Sequence, residues 1–122
     1  VIRMIDELPV FAVLATQAEG VTTVRDAAEL RVKESDRIAT LAGELRHMGV
    51  SITERPDGFV ITGPQQLSAA IVDSQSDHRL AMSLAIGAML ADGESRVQHS
   101  EAIQESFPGF ADVLRLLGAE VY

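Results

Sequence analysis

The chain has 122 residues, 47% of them apolar and 23% charged, which is the size and balance of one soluble globular domain and excludes a disordered or collagen-like protein. Cysteine is absent, removing disulfide scaffolds, thiolate zinc sites and cysteine nucleophiles, and the three histidines lack the spacing of a metal pair. Ten Lys and Arg against 18 Asp and Glu leave a net charge of −8, the wrong sign for gripping nucleic-acid phosphates, so an anionic small substrate is expected only where the few cations gather.

Asp6 to Glu19 reads as an apolar helix: Leu8, Phe11, Ala12, Ala15 and Ala18 recur at helical spacing, Pro9 falls in the first turn, and Gly20 stops it. Val21 to Arg25, short and rich in Val and Thr, is predicted to be a strand. The stripe of Ile38, Leu41, Leu45 and Met48 predicts a second helix over Lys33 to Met48, with Gly49 as its stop. Val50 to Glu54 and Phe59 to Thr62 alternate like strands, and Arg55-Pro56-Asp57-Gly58 between them is turn chemistry, so the pair forms a hairpin. Gly63 to Ser76 is polar and irregular, apart from an apolar patch at Ala69 to Val72 that suits a short strand.

Asp77 to Ala91 is a helix apolar on nearly every side and is expected to be the most buried element. Its nearly uncharged stretch, Leu80 to Ala91, falls short of the roughly 20 residues that cross a bilayer. No basic segment precedes an apolar one at the start, so no secretory signal is expected either. Ser95 to His99 is predicted to be a strand, Phe107 to Leu117 an amphipathic helix, and Ala119 to Tyr122 a final strand.

The two halves look alike. Asp6…Ala18-Glu19-Gly20 is answered by Asp77…Ala91-Asp92-Gly93, and Leu45-Arg46-His47-Met48-Gly49-Val50 by Leu114-Arg115-Leu116-Leu117-Gly118-Ala119. The recurring order of helix, strand, helix, strand reads as an internal duplication with units at 1–63 and 64–122, each laying two helices on one face of a sheet.

Three stretches carry charge that a purely structural helix does not need. In Arg31-Val32-Lys33-Glu34-Ser35-Asp36-Arg37, a helix puts Lys33 and Arg37 on one face. Ordinary surface ion pairs would explain them, yet cations at a helix start oppose the macrodipole and make more sense beside an external anion. Asp77-His78-Arg79 opens the most apolar helix, where Arg79 either snorkels and pairs with Asp77 or joins the helix's N–H groups in an anion site. Asp6-Glu7 opens the other apolar helix, and the repeat sets Asp6 against Asp77, on the same rim as Arg79.

These strings, in this order, resemble the C-terminal part of the 5-enolpyruvylshikimate-3-phosphate synthase family. The resemblance rests on Ile5-Asp6-Glu7-Leu8-Pro9, Leu30-Arg31-Val32-Lys33-Glu34-Ser35-Asp36-Arg37-Ile38, Asp77-His78-Arg79-Leu80-Ala81-Met82 and Ser106-Phe107-Pro108-Gly109-Phe110, and covers essentially the whole chain. UDP-N-acetylglucosamine enolpyruvyl transferases share the architecture but not these strings. The resemblance implies an α/β (α+β) fold of repeated βαβαββ units, with helices packed on one face of mixed sheets. It implies a cytoplasmic transferase of the shikimate pathway, serving chorismate and aromatic amino acid biosynthesis. The enzyme moves the enolpyruvyl group of phosphoenolpyruvate to the 5-hydroxyl of shikimate 3-phosphate by addition and then elimination of phosphate, with no metal or organic cofactor.

Carried over by position, Asp6 matches the family's general base at the 5-hydroxyl and Glu34 the acid that protonates the methylene carbon. Lys33 matches a ligand of shikimate 3-phosphate, and Arg37 and Arg79 match the arginines that hold phosphoenolpyruvate. Glu105 stands where one branch of the family has a lysine, Ser76 where glycine is common, and Glu29 where some members have asparagine. The family's chain is several times longer, so this one is expected to be a fragment lacking the N-terminal domain of the same chain and inactive alone, with at most weak anion affinity at Lys33, Arg37 and Arg79. The rival reading is a non-catalytic repeat domain kept for a protein contact.

Overall fold

In a computed structural model, which describes residues 8–33 and 35–119, the first apolar run forms helix α1 (Leu8–Ala15). It stops short of the predicted Glu19 because Thr16 turns back on it: the Thr16 hydroxyl donates to the Val13 carbonyl at 2.6 Å, and Gln17 and Ala18 close tight turns onto Leu14 and Ala15. Asp6 and Glu7 lie outside the described residues. Strand β1 (Gly20–Val24) follows as predicted, and then a 3₁₀ turn, Ala28–Val32, which the sequence reading did not anticipate.

The second helix, α2 (Arg37–His47), begins four residues later than predicted. Asp36 is its N-cap and accepts a hydrogen bond from the Ala39 N–H at 3.0 Å, so the chain before it is free to be non-helical. Lys33 consequently sits in extended backbone at the end of the 3₁₀ turn, and the shared helical face expected for Lys33 and Arg37 does not exist. The hairpin forms as predicted, from β2 (Ile52–Arg55) and β3 (Gly58–Gly63) across the two-residue turn Pro56-Asp57.

Strand β3 is central, antiparallel to β1 on one side and β2 on the other, with Val24 opposite Phe59 and Ile52 opposite Ile61. The period of two puts Val24, Ile52, Phe59 and Ile61 on the buried face, and Val21, Thr23, Thr53 and Thr62 on the exposed one. Helices cover only the buried face. Val13 of α1, Ile38, Leu41 and Leu45 of α2, and Leu80 and Leu84 of the next helix complete one hydrophobic core with it.

The second half contains a parallel pair, β4 (Ile71–Asp73) and β5 (Arg96–Gln98), joined by helix α3 (His78–Leu90) as parallel strands require. Contrary to the expectation from its composition, helix α3 is not the most buried element: five of its 13 residues are buried, against six of 11 in α2. Its C-terminal half borders an open groove of about 740 Å³ lined by Ala85, Ala88, Met89, Ala111 and Leu114, which leaves Met89 exposed. The predicted Phe107–Leu117 helix forms over its later part as α5 (Phe110–Leu116), because Gly109 takes a left-handed φ of 85° and stands as its N-cap; a one-turn helix before it, α4 (Ile103–Ser106), was not anticipated. The predicted final strand falls on Ala119, which has no regular structure, and on residues outside those described.

Close approach at one glycine fixes the hairpin against β1. A Cβ at Gly58 would lie 1.9 Å from the Val24 carbonyl oxygen, whereas one at Gly43 on α2 would meet nothing within 4 Å. Gly58→Ala is therefore expected to destabilise the fold by about 1–3 kcal/mol through forced backbone movement. Gly43→Ala should stabilise it by about 0.5–1 kcal/mol. Urea midpoints of the two variants check both signs.

Candidate anion site at the start of helix α3

The two charged strings meet at one carboxylate. Asp77, the N-cap of α3, is fully buried, and Arg37 at the start of α2 is 1% exposed. Arg37 donates from Nε to Asp77 Oδ2 at 2.8 Å and from Nη2 to Oδ1 at 3.2 Å, a bidentate pair spanning 40 residues of sequence. Ser35 Oγ donates to Oδ2 at 2.8 Å, and the backbone N–H groups of Arg79 and Leu80 donate to Oδ1 at 3.0 and 3.4 Å. Burial opposes ionisation of this carboxyl, but the hydrogen bonds from Arg37 and Ser35 and the guanidinium's charge outweigh it and hold Asp77 below the ordinary aspartate range.

The cations sort themselves around this junction. Arg31 reaches away from it, donating to Asp36, Glu54 and the carbonyls of Arg55 and Pro56, so it clamps the hairpin turn to the start of α2. This overturns part of the electrostatic expectation: Arg31 is neutralised by carboxylates of the chain itself, with no external anion required, whereas Arg37 shares Asp77 with Ser35 and the N–H groups at the start of α3. Arg79 is half-buried at the first turn of α3, and its guanidinium makes no hydrogen bond or ion pair among the described residues. Lys33 is partly exposed beyond the 3₁₀ turn. Asp6 and Glu34 lie outside the described residues. Arg37 and the start of Arg79's helix are thus brought together by Asp77. Among the described residues, no three His, Asp or Glu groups cluster as a metal site would need.

The loop that delivers Asp77 is tied to the end of β5. The buried Ser74 hydroxyl donates toward the carbonyls of Gln98 and His99 at 2.9 and 2.7 Å, and the Ser74 N–H donates to Gln98 at 3.1 Å. Gln75 and Ser76 then pass through left-handed backbone, with φ of 55° and 58°, and the Asp77 N–H closes the turn onto Ser74 at 3.0 Å. Beside it His99 Nδ1 lies 2.8 Å from Asp73 Oδ1. Sequence reasoning missed Ser35, Ser74 and this Asp-His pair. Only the left-handed turn left a trace, in Ser76 standing where the family commonly has glycine.

Relief of that strain has a measurable consequence. Ser76→Gly should stabilise the chain by about 1 kcal/mol, because glycine accepts the left-handed conformation without the Cβ clash. A raised thermal midpoint checks it, and an unchanged or lowered one contradicts it.

The Asp73–His99 pair gives stability a pH window. Asp73 is lowered from 3.8, first by the Gln75 N–H and then by His99, so its contribution is complete above 3.8 and fades as pH falls through the lowered value. His99 is raised from 6.5 by Asp73, so its contribution is complete below 6.5 and fades as pH rises through the raised value. The difference in urea midpoint between the unaltered chain and His99→Ala is therefore expected to be greatest between those two pH values and to shrink on either side.

Comparison with known proteins fits this geometry into a family. The family model of EPSP synthase (3-phosphoshikimate 1-carboxyvinyltransferase) matches residues 1–114. The chain is 52% identical over 112 residues to the 3-phosphoshikimate 1-carboxyvinyltransferase of Brevibacillus brevis and 56% identical over 115 residues to that of Synechococcus elongatus. Those alignments take in 92% and 94% of this chain but 26% of each relative, so the chain spans about a quarter of the length of the curated relatives it matches. A solved EPSP synthase from Acinetobacter baumannii superposes with a TM-score of 0.88 at 36% identity, covering 93% of this chain and 27% of that one. The mixed fold with helices on one face of the sheet is accordingly part of an EPSP synthase domain. The chain belongs to the EPSP synthase (3-phosphoshikimate 1-carboxyvinyltransferase) family.

Proposed function

We propose that this chain is the phosphoenolpyruvate-holding part of a shikimate-pathway transferase, and that the whole enzyme moves the enolpyruvyl group to the 5-hydroxyl of shikimate 3-phosphate. The observation that carries the reading is the meeting of the family's two specific strings, Lys33-Glu34-Ser35-Asp36-Arg37 and Asp77-His78-Arg79, at the Asp77 carboxylate. Arg37 and Arg79 hold the anionic groups of phosphoenolpyruvate, and Lys33 holds the phosphate of shikimate 3-phosphate.

Asp6 takes the proton of the 5-hydroxyl as its oxygen bonds to C2 of phosphoenolpyruvate, while Glu34 delivers a proton to the methylene carbon. The tetrahedral adduct then collapses: the C2–O bond to phosphate breaks, a proton leaves the new methyl group, and the carbon–carbon double bond returns. The cations stabilise the phosphate as it departs. Residues 1–63 and 64–122 act as two repeat units of one domain, and the N-terminal domain of a longer, cytoplasmic chain closes over them. Among the described residues no helix is long and apolar enough to cross a membrane.

A graft tests the proposal. Residues 1–114 replace the matching segment of the Synechococcus elongatus relative, and phosphate release from phosphoenolpyruvate is followed with shikimate 3-phosphate present. The graft is expected to turn over, Arg79→Ala in it to lose about a hundredfold in kcat/KM, and the isolated chain to show no turnover. A folded graft without activity, or one indifferent to Arg79→Ala, overturns the proposal in favour of a non-catalytic repeat domain.

A further inference from the structure

The carboxylate of Asp77 has no step of its own in the proposed reaction, yet it receives five hydrogen bonds and is fully buried. Capping α3 needs only its bonds to the N–H groups of Arg79 and Leu80. A cap at a helix start is ordinarily half-solvated, and a Ser or Asn would serve it without burying a charge. The remaining bonds, from Arg37 and Ser35, therefore ask for a second role.

We propose that Asp77 is a positioning residue that fixes Arg37 and Arg79 relative to each other for a single anionic ligand. One oxygen pair holds the Arg37 guanidinium by two of its nitrogens and, on Oδ1, the backbone N–H of Arg79. The guanidinium plane of Arg37 and the backbone of Arg79 are consequently set by the same carboxylate. The loop behind Asp77 is itself anchored, through Ser74, to the end of β5, so this carboxylate is the fixed point and the arginines are placed from it. Arg37 lies at the start of α2 and Arg79 at the start of α3, and without the shared carboxylate two rigid helices would have to keep register through apolar contacts alone, which tolerate sliding.

The inference rests on the proposed binding of phosphoenolpyruvate by the two arginines, and its test has two arms. In the graft, Asp77→Asn is expected to raise KM for phosphoenolpyruvate about ten- to a hundredfold with little change in kcat. In an Arg37→Met background the same substitution should add almost nothing, because the group it positions has gone. Ser35→Ala, which removes one donor and spares the fold, should raise KM about two- to tenfold. Equal losses from Asp77→Asn in both backgrounds would reduce Asp77 to a helix cap and overturn the inference, as would an unchanged KM.

The second arm uses the 122-residue chain with no substrate. By NMR, the Arg37 Nε–H and the Arg79 amide should both exchange slowly, and both should be released together in Asp77→Asn. A rapidly exchanging Arg37 Nε–H in the unaltered chain overturns the positioning role whatever the graft does. A protected one, beside an unsubstituted graft that does not turn over, leaves the positioning geometry standing and removes the functional reading instead.

Discussion

A guanidinium and a carboxylate buried against each other fix how the two halves of this chain meet. Removing either charge from water costs several kcal/mol, and the attraction between them compensates only when geometry is good and the remaining donors and acceptors are filled. Both conditions hold for Arg37 and Asp77. The pair is bidentate, and the carboxylate's other contacts are a serine hydroxyl and two N–H groups at the start of α3. A pair of this kind is weak as a source of net stability but strict about geometry, since a half-broken pair leaves an uncompensated charge in the core. The starts of α2 and α3 are accordingly held in one arrangement, and the core beneath them, from Leu41 and Leu45 to Leu80 and Leu84, packs to suit it.

This junction also explains how an acidic chain can present a cationic spot. With a net charge of −8, the average field repels anions, so local arrangement has to oppose it. Arg31 is neutralised internally by Asp36 and Glu54, where it pins the hairpin, whereas Arg37 shares the Asp77 carboxylate with Ser35 and the start of α3. Arg79 stands at the same helix start without a bonded carboxylate among the described residues. The positive end of α3 adds to its charge, although Asp77 already occupies two of the helix's N–H groups.

Much of the fold was legible because its signals are local. Pro56 and Asp57 encode a tight turn by their own backbone preferences, and the alternation of Ile52, Phe59 and Ile61 marks which face of the hairpin is buried. Helix ends were harder. The stripe from Ile38 to Met48 extends by eye back to Lys33, but Asp36 competes as a cap, and a capping side chain ends a helix wherever it finds an N–H three residues on. Composition misled for α3, because apolar residues such as Met89 and Leu90 look buried on paper whether or not anything packs on them.

The site was legible as a set of residues and not as an arrangement. Lys33, Arg37 and Arg79 were found as strings, but the bond that joins two of those strings crosses 40 residues, and no periodicity reports such a contact. Ser35 and Ser74 were invisible for the same reason, each mattering only through a partner far along the chain.

The most direct measurement is a carbon-13 titration of the Asp77 carboxyl in the folded chain. A carboxylate clamped by Arg37 and Ser35 should stay ionised well below the ordinary aspartate value of 3.8, losing its charge only as the fold itself gives way. A midpoint at or above 3.8 would mean that burial outweighs the guanidinium, and that Arg37 is not held in the way described.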